Sequence, residues 1–101
     1  MSKAIWFISY KLKKGLSESD FLAASKKTHD EVLSKKKGFI SWQVLRDGDT
    51  WIDHVTWETM EDAINAEKGD GADTSPAAME FYSFINFNSC KSKVYTVEKI
   101  Y

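Results

Sequence analysis

The sequence predicts an α+β fold: a four-stranded antiparallel sheet with its helices on one face. Three observations predict it. Runs rich in β-branched and aromatic residues alternate with segments of helical period in the order β-α-β-β-α-β. An Asp-Gly pair joins two of those runs as a hairpin turn. Two of the three helical segments open on Ser caps, Ser17 and Ser75, and the segments close on glycine or asparagine. The 101 residues, 43% hydrophobic and 29% charged, suit one domain over 1–101.

Ala4 to Leu12 is dense in strand-favouring side chains and closes on Lys14-Gly15, a strand and a turn. Ser17 with Asp20 three residues on forms an acidic capping box, and Glu18 and Asp20 complement the helix dipole. Phe21, Leu22, Ser25, Thr28, His29, Val32 and Leu33 then recur at helical intervals, and Lys35-Lys36-Lys37-Gly38 ends the helix. Phe39 to Arg46 and Trp51 to Trp57 are strands flanking Asp47-Gly48-Asp49. Helical character returns over Glu58 to Lys68, breaks in a loop at Gly69-Asp70-Gly71, and resumes after Ser75-Pro76 in an aromatic helix that ends near Asn86 to Asn88. Lys93 to Ile100 alternates as the last strand.

Neighbour pairing and right-handed crossovers turn this order into the ferredoxin-like arrangement. The strands are apolar on both faces: Trp6, Ile8, Tyr10 and Leu12 oppose Ile5 and Phe7, and Ile40, Trp42 and Val44 oppose Phe39 and Leu45. Helices cover one face only, so the other is expected to be covered by a second copy in a homodimer. Lys plus Arg total 14 against 15 for Asp plus Glu, so no global field attracts nucleic acid or an anionic membrane. No run approaches the roughly 18 apolar residues that span a bilayer. The single cysteine, Cys90, has no intrachain partner, which fits a cytoplasmic protein with an inert thiol.

Lys37-Gly38-Phe39-Ile40-Ser41-Trp42, the hairpin from Asp47 to Glu58 ending on Trp57, and the helix start Glu61-Asp62-Ala63 resemble the dimeric α/β-barrel superfamily, and within it the antibiotic biosynthesis monooxygenase-like proteins. The resemblance implies a small-molecule cavity between sheet and helices. It implies a hydrophobic or aromatic ligand and cofactor-independent monooxygenase chemistry, with Trp57, Asn65 and Tyr82 as counterparts of substrate-binding residues. A non-catalytic dimeric stress or interaction protein is the alternative. Haem-degrading members differ: they carry an asparagine where this chain has Ile8 and a histidine where Ala77 to Phe87 has none.

Three residues are candidates for acid-base chemistry. His29 lies on the apolar stripe of the first helix and His54 on the third strand, and histidine titrates nearest neutral pH. If both face the helices they share a cavity. Asp53 alternates with Trp51, Val55 and Trp57, placing a carboxylate among aromatic groups where burial raises its pKa unless Lys11, Arg46 or a partner lysine pairs with it. No cofactor motif and no metal-ligand spacing is present: the histidines form no HxxxH pair, Asp70-Gly71-Ala72-Asp73 is not a calcium loop, and there is no phosphate cradle. The stretch from Lys37 to Trp42 is superficially like an RNA-recognition motif, but Phe39 shares its expected face with Ser41, so the stacking pair is missing.

Overall fold

The computed structural model describes residues 2–69 and 75–101. Its elements are β1 (Ala4–Leu12), α1 (Glu18–Glu31), a 3-10 turn (Leu33–Lys35), β2 (Phe39–Asp47), β3 (Thr50–Trp57), α2 (Met60–Lys68), α3 (Pro76–Ser83) and β4 (Ile85–Thr96). The sheet runs β2-β3-β1-β4 with every pairing antiparallel, the ferredoxin-like order. The predicted loop after Gly69, with Asp70 to Asp73, lies outside the described residues. Among the described residues no helix is long and apolar enough to cross a membrane.

Local chemistry explains most boundaries. The Ser17 hydroxyl accepts from the Asp20 N–H, Thr59 from Asp62 N–H and Ser75 from Ala78 N–H, so each helix opens on a side-chain cap. Gly48 turns the β2–β3 hairpin at φ +62°, pairing Asp47 with Thr50. That turn fixes the register of β3, and with it which residues face the helices.

Three departures from the sequence expectation have physical causes. In β2 a bulge gives Phe39 and Ser41 consecutive partners on β3, Trp57 and Thr56, so Ile40 is the extra residue. Phe39 therefore joins Trp42 and Val44 on the covered face, and Ile40 is exposed. The last strand begins at Ile85 rather than Lys93 and ends at Thr96. Pairing with β1 overrides the loop-like composition of Asn86 to Ser89, and where the ladder breaks the Ser89 hydroxyl accepts from the Lys11 N–H at 2.9 Å. Cys90 thus sits within a strand rather than a connection. Finally, α1 stops at Glu31, and its buried face is Phe21, Ala24, Ser25 and Thr28, while Leu22 is exposed.

Two core clusters lie between sheet and helices. One gathers Ala4, Leu33, Val55, Trp57, Ala63 and Ala66; the other Tyr10, Phe21, Trp51, Phe81 and Ile85. Phe21 meets Trp51 edge-on at 5.0 Å and stacks on Phe81 at 5.3 Å between ring centroids. Thr28 ties α1 to α3 by donating to the Ala77 carbonyl at 3.2 Å.

Gly38 links β2 to α2. It has φ +81°, its carbonyl accepts from the Glu58 N–H at 2.8 Å, and the Asp62 side chain fills the space a Cβ would occupy. Gly38→Ala therefore combines a positive-φ penalty of about 1–2 kcal/mol with displacement of a buried carboxyl. Urea denaturation is expected to show a loss of about 3 kcal/mol or more, whereas Gly48→Ala, with open space around its Cα, loses only the positive-φ part.

Candidate functional site

Asp53 occupies the centre of the covered face. The hairpin register sets it beside Val44 of β2 and Ile8 of β1 on the second strand of the sheet. Its neighbours along β3, Trp51 and Val55, belong to different core clusters, so the carboxylate falls at the seam between them. It is 3% exposed. Tyr10, also fully buried, donates its hydroxyl to Asp53 Oδ1 at 2.8 Å.

Around this carboxylate the packing leaves space. A cavity of about 50 Å³ is lined by Asp53, Trp42, Trp6, Ile8, Phe81 and Tyr82, with Thr28, Val32, Leu33 and Lys36 behind them. A wider cleft of about 390 Å³ shares Trp6, Ile8, Asp53, Phe81 and Tyr82 with it and adds Tyr10, Cys90, Ser92 and Glu67. A short polar chain marks the cleft wall: Trp6 Nε1 donates to Ser92 Oγ at 2.8 Å, and Ser92 Oγ donates to Glu67 Oε2 at 2.8 Å.

Burial pushes Asp53 up to about 7, opposed in part by hydrogen bonding from Tyr10 and by the Trp42 indole N–H; no cation contributes. Lys11 and Arg46, the cations that could have paired with it, are held by Asp49 at 3.5 Å and Glu18 at 2.8 Å. Burial and the Asp53 charge raise the Tyr10 phenol, which stays a donor, and raise the Cys90 thiol, which stays protonated. A carboxylate poised near neutrality in an apolar cavity is equipped to take a proton from a bound molecule. Removing the Tyr10 donor with Tyr10→Phe is expected to raise the Asp53 titration midpoint further, as followed by the carboxyl carbon resonance in NMR.

The other sequence candidates lie elsewhere, apart from Tyr82, which lines both the cavity and the cleft. His54 is on the opposite face of the sheet, since Asp53 next to it faces the helices. His29 is half exposed at the edge of α1, with Nδ1 2.8 Å from Asp30 Oδ1 and its ring 5.5 Å from that of Phe39. The two histidines therefore share no cavity. Trp57 is fully buried in the first core cluster and, with exposed Asn65, borders a separate groove beside Lys37 and Lys68. Among the described residues no group of three or more His, Cys, Asp or Glu could hold a metal ion. Tyr10, Trp42 and Trp6 were not among the sequence candidates; the face shared by Tyr10, Ile8 and Trp6 on β1 was the available signal.

No family profile matches the chain, and no curated protein sequence does. Solved structures match it over nearly its whole length. The cofactor-independent oxygenase SnoaB from Streptomyces nogalater superposes with a TM-score of 0.75 at 12% identity, covering 99% of this chain and 97% of its own. An antibiotic biosynthesis monooxygenase-like protein from Nitrosomonas europaea gives 0.67 at 11% identity over 95% and 90%. Another, from Bacillus cereus, gives 0.62 at 21% identity over 100% and 98%. With strand order, helix placement and these superpositions in agreement, the chain has the ferredoxin-like fold of the antibiotic biosynthesis monooxygenase-like proteins.

Proposed function

We propose that this protein binds a neutral aromatic or hydrophobic metabolite between sheet and helices and oxygenates it without a cofactor, with Asp53 as the base. The observation that carries the reading is Asp53 itself, a carboxylate nine-tenths or more buried, bonded to a phenol and unpaired with any cation, on the wall of an apolar cleft. The likeness in fold to a cofactor-independent oxygenase supports the reaction type.

In this mechanism the aromatic ligand lies against Phe81, Tyr82 and Trp6, and Asp53 takes a proton from an activated carbon. The C–H electron pair remains on the ligand as a delocalised carbanion. Dioxygen adds to that carbon as a peroxide anion, which takes the proton back from Asp53 to form the hydroperoxide, and loss of water leaves a carbonyl group. Anthrone, a neutral ketone with an acidic CH₂, is a suitable probe. Its addition is expected to raise the melting temperature and to start oxygen uptake, as measured by differential scanning fluorimetry and an oxygen electrode. Absence of both at saturating anthrone would favour the non-catalytic interaction protein instead. The same reading includes a homodimer closed through the face that carries Ile5, Phe7, Ile52, Leu45 and Tyr95.

A further inference from the structure

Three buried side-chain polar atoms among the described residues have no hydrogen-bond partner: Trp42 Nε1, His54 Nδ1 and Trp57 Nε1. Leaving such a group unmet costs roughly 1–3 kcal/mol, so each needs an explanation. Only Trp42 lines the cavity that Asp53 lines. Its indole N–H is directed toward the carboxylate and lowers the Asp53 pKa as a hydrogen-bond donor does, yet no acceptor sits in full hydrogen-bonding geometry to it. A donor without a well-formed hydrogen bond and a carboxylate with one oxygen taken by Tyr10 therefore stand side by side.

We infer that Trp42 and Asp53 together recognise a phenolic hydroxyl, whose oxygen accepts from the Trp42 indole N–H while its own hydrogen is given to Asp53 Oδ2. A hydroxyl is the group that meets both at once, because it carries one donor and lone pairs on the same atom. A ketone oxygen satisfies Trp42 alone. An ammonium cannot accept from the indole, and a carboxylate ligand brings a second negative charge beside the first.

Size agrees with this orientation. An aromatic ring needs a cavity of roughly 150 Å³, so the inner cavity of about 50 Å³ takes the hydroxyl and the adjoining cleft of about 390 Å³ takes the ring. Asp53 lines both spaces, whereas Trp42 lines the inner one. When the proton transfers, the ligand O–H bond breaks, the Oδ2–H bond forms and the electron pair stays on the ligand oxygen. The negative charge has then moved from Asp53 to an atom already facing the Trp42 donor, which stabilises the phenolate.

The inference rests on the proposed placement of the ligand site and is independent of any reaction with oxygen. It is tested with 4-nitrophenol, whose phenolate absorbs in the visible, and with 4-nitroanisole, its methylated counterpart, on the full chain under nitrogen. Wild type is expected to bind 4-nitrophenol at least about tenfold more tightly than 4-nitroanisole. The Trp42→Phe variant should lose about five- to tenfold of its affinity for 4-nitrophenol and none for 4-nitroanisole. Asp53→Asn should keep 4-nitrophenol as the uncoloured phenol. In wild type labelled at the indole nitrogens, 4-nitrophenol should shift the Trp42 Nε1–H resonance downfield, a readout that stands even if Trp42→Phe fails to fold. Equal affinity for the two compounds, binding of neither, an unmoved Trp42 resonance or unchanged binding by folded Trp42→Phe would each overturn the inference. Positive results here alongside no oxygen uptake with anthrone would remove the oxygenase reading and leave this one.

Discussion

Asp53→Asn is expected to lower kcat/KM for oxygen-dependent consumption of anthrone by about 10²–10⁴-fold, the range of general-base catalysis, while making the protein more stable at and above neutral pH. The two effects have opposite signs because they come from one cause. Burial raises Asp53 from 3.8 to about 7 in the folded chain, whereas the unfolded chain ionises it near the lower value. Between those values the folded protein holds a proton that the unfolded chain releases, so this group's contribution to stability falls as pH rises from about 4 to about 7 and is level above that. The full displacement corresponds to about 4 kcal/mol as an upper bound. Asparagine keeps the shape and cannot ionise, so urea denaturation at pH 4.5, 6 and 8 should show the variant gaining steadily on wild type. Turnover runs the other way: the base must be ionised, so wild-type kcat/KM should climb with pH through about 7. Retained turnover in the variant would remove Asp53 as the base. Loss of turnover accompanied by loss of stability would assign it a structural role instead.

How far the site was legible in the sequence depends on which residues local rules control. Asp53 was legible because strand alternation is rigid: once Gly48 sets the hairpin, Trp51, Asp53, Val55 and Trp57 must share a face. The same alternation set His54 on the other face from Asp53, but which face the helices cover is decided by tertiary packing. Tyr10 and Trp42 were hidden for a different reason. Tyr10 reaches Asp53 across a strand pairing, with 43 residues between them in sequence. Trp42 shares the face of Phe39 only because a bulge inserts Ile40, and the apolar pattern of β2 carries no signal for that extra residue. His29 falls at the helix edge because α1 turns Phe21, Ala24, Ser25 and Thr28 inward, one position away from the stripe of Leu22 and His29. Asn86 to Ser89 looked like a connection because Asn and Ser favour turns, a weak preference that β1 pairing outweighs.

Phe7→Glu is expected to dissociate the proposed homodimer into monomers at micromolar concentration, as read by sedimentation velocity. Phe7 lies on the face away from the helices, paired across strands with His54 and Lys93 and edge-on to Tyr95 at 6.2 Å between ring centroids. Leu45 is 40% and Tyr95 48% exposed on that face, apolar groups that a second copy would bury in the proposed dimer. Within one chain the introduced glutamate has Lys93 beside it, so the subunit itself tolerates the change. Across a two-fold interface the loss occurs twice, at about 1.5–3 kcal/mol for each large apolar side chain no longer buried, which weakens association by roughly 10²–10⁴-fold. Because one chain's residues line the Asp53 cavity from the opposite face of the sheet, the monomeric variant should still bind 4-nitrophenol as wild type does. A wild-type protein that sediments as a monomer, or a Phe7→Glu variant that remains dimeric, would show that this face is not where two copies meet.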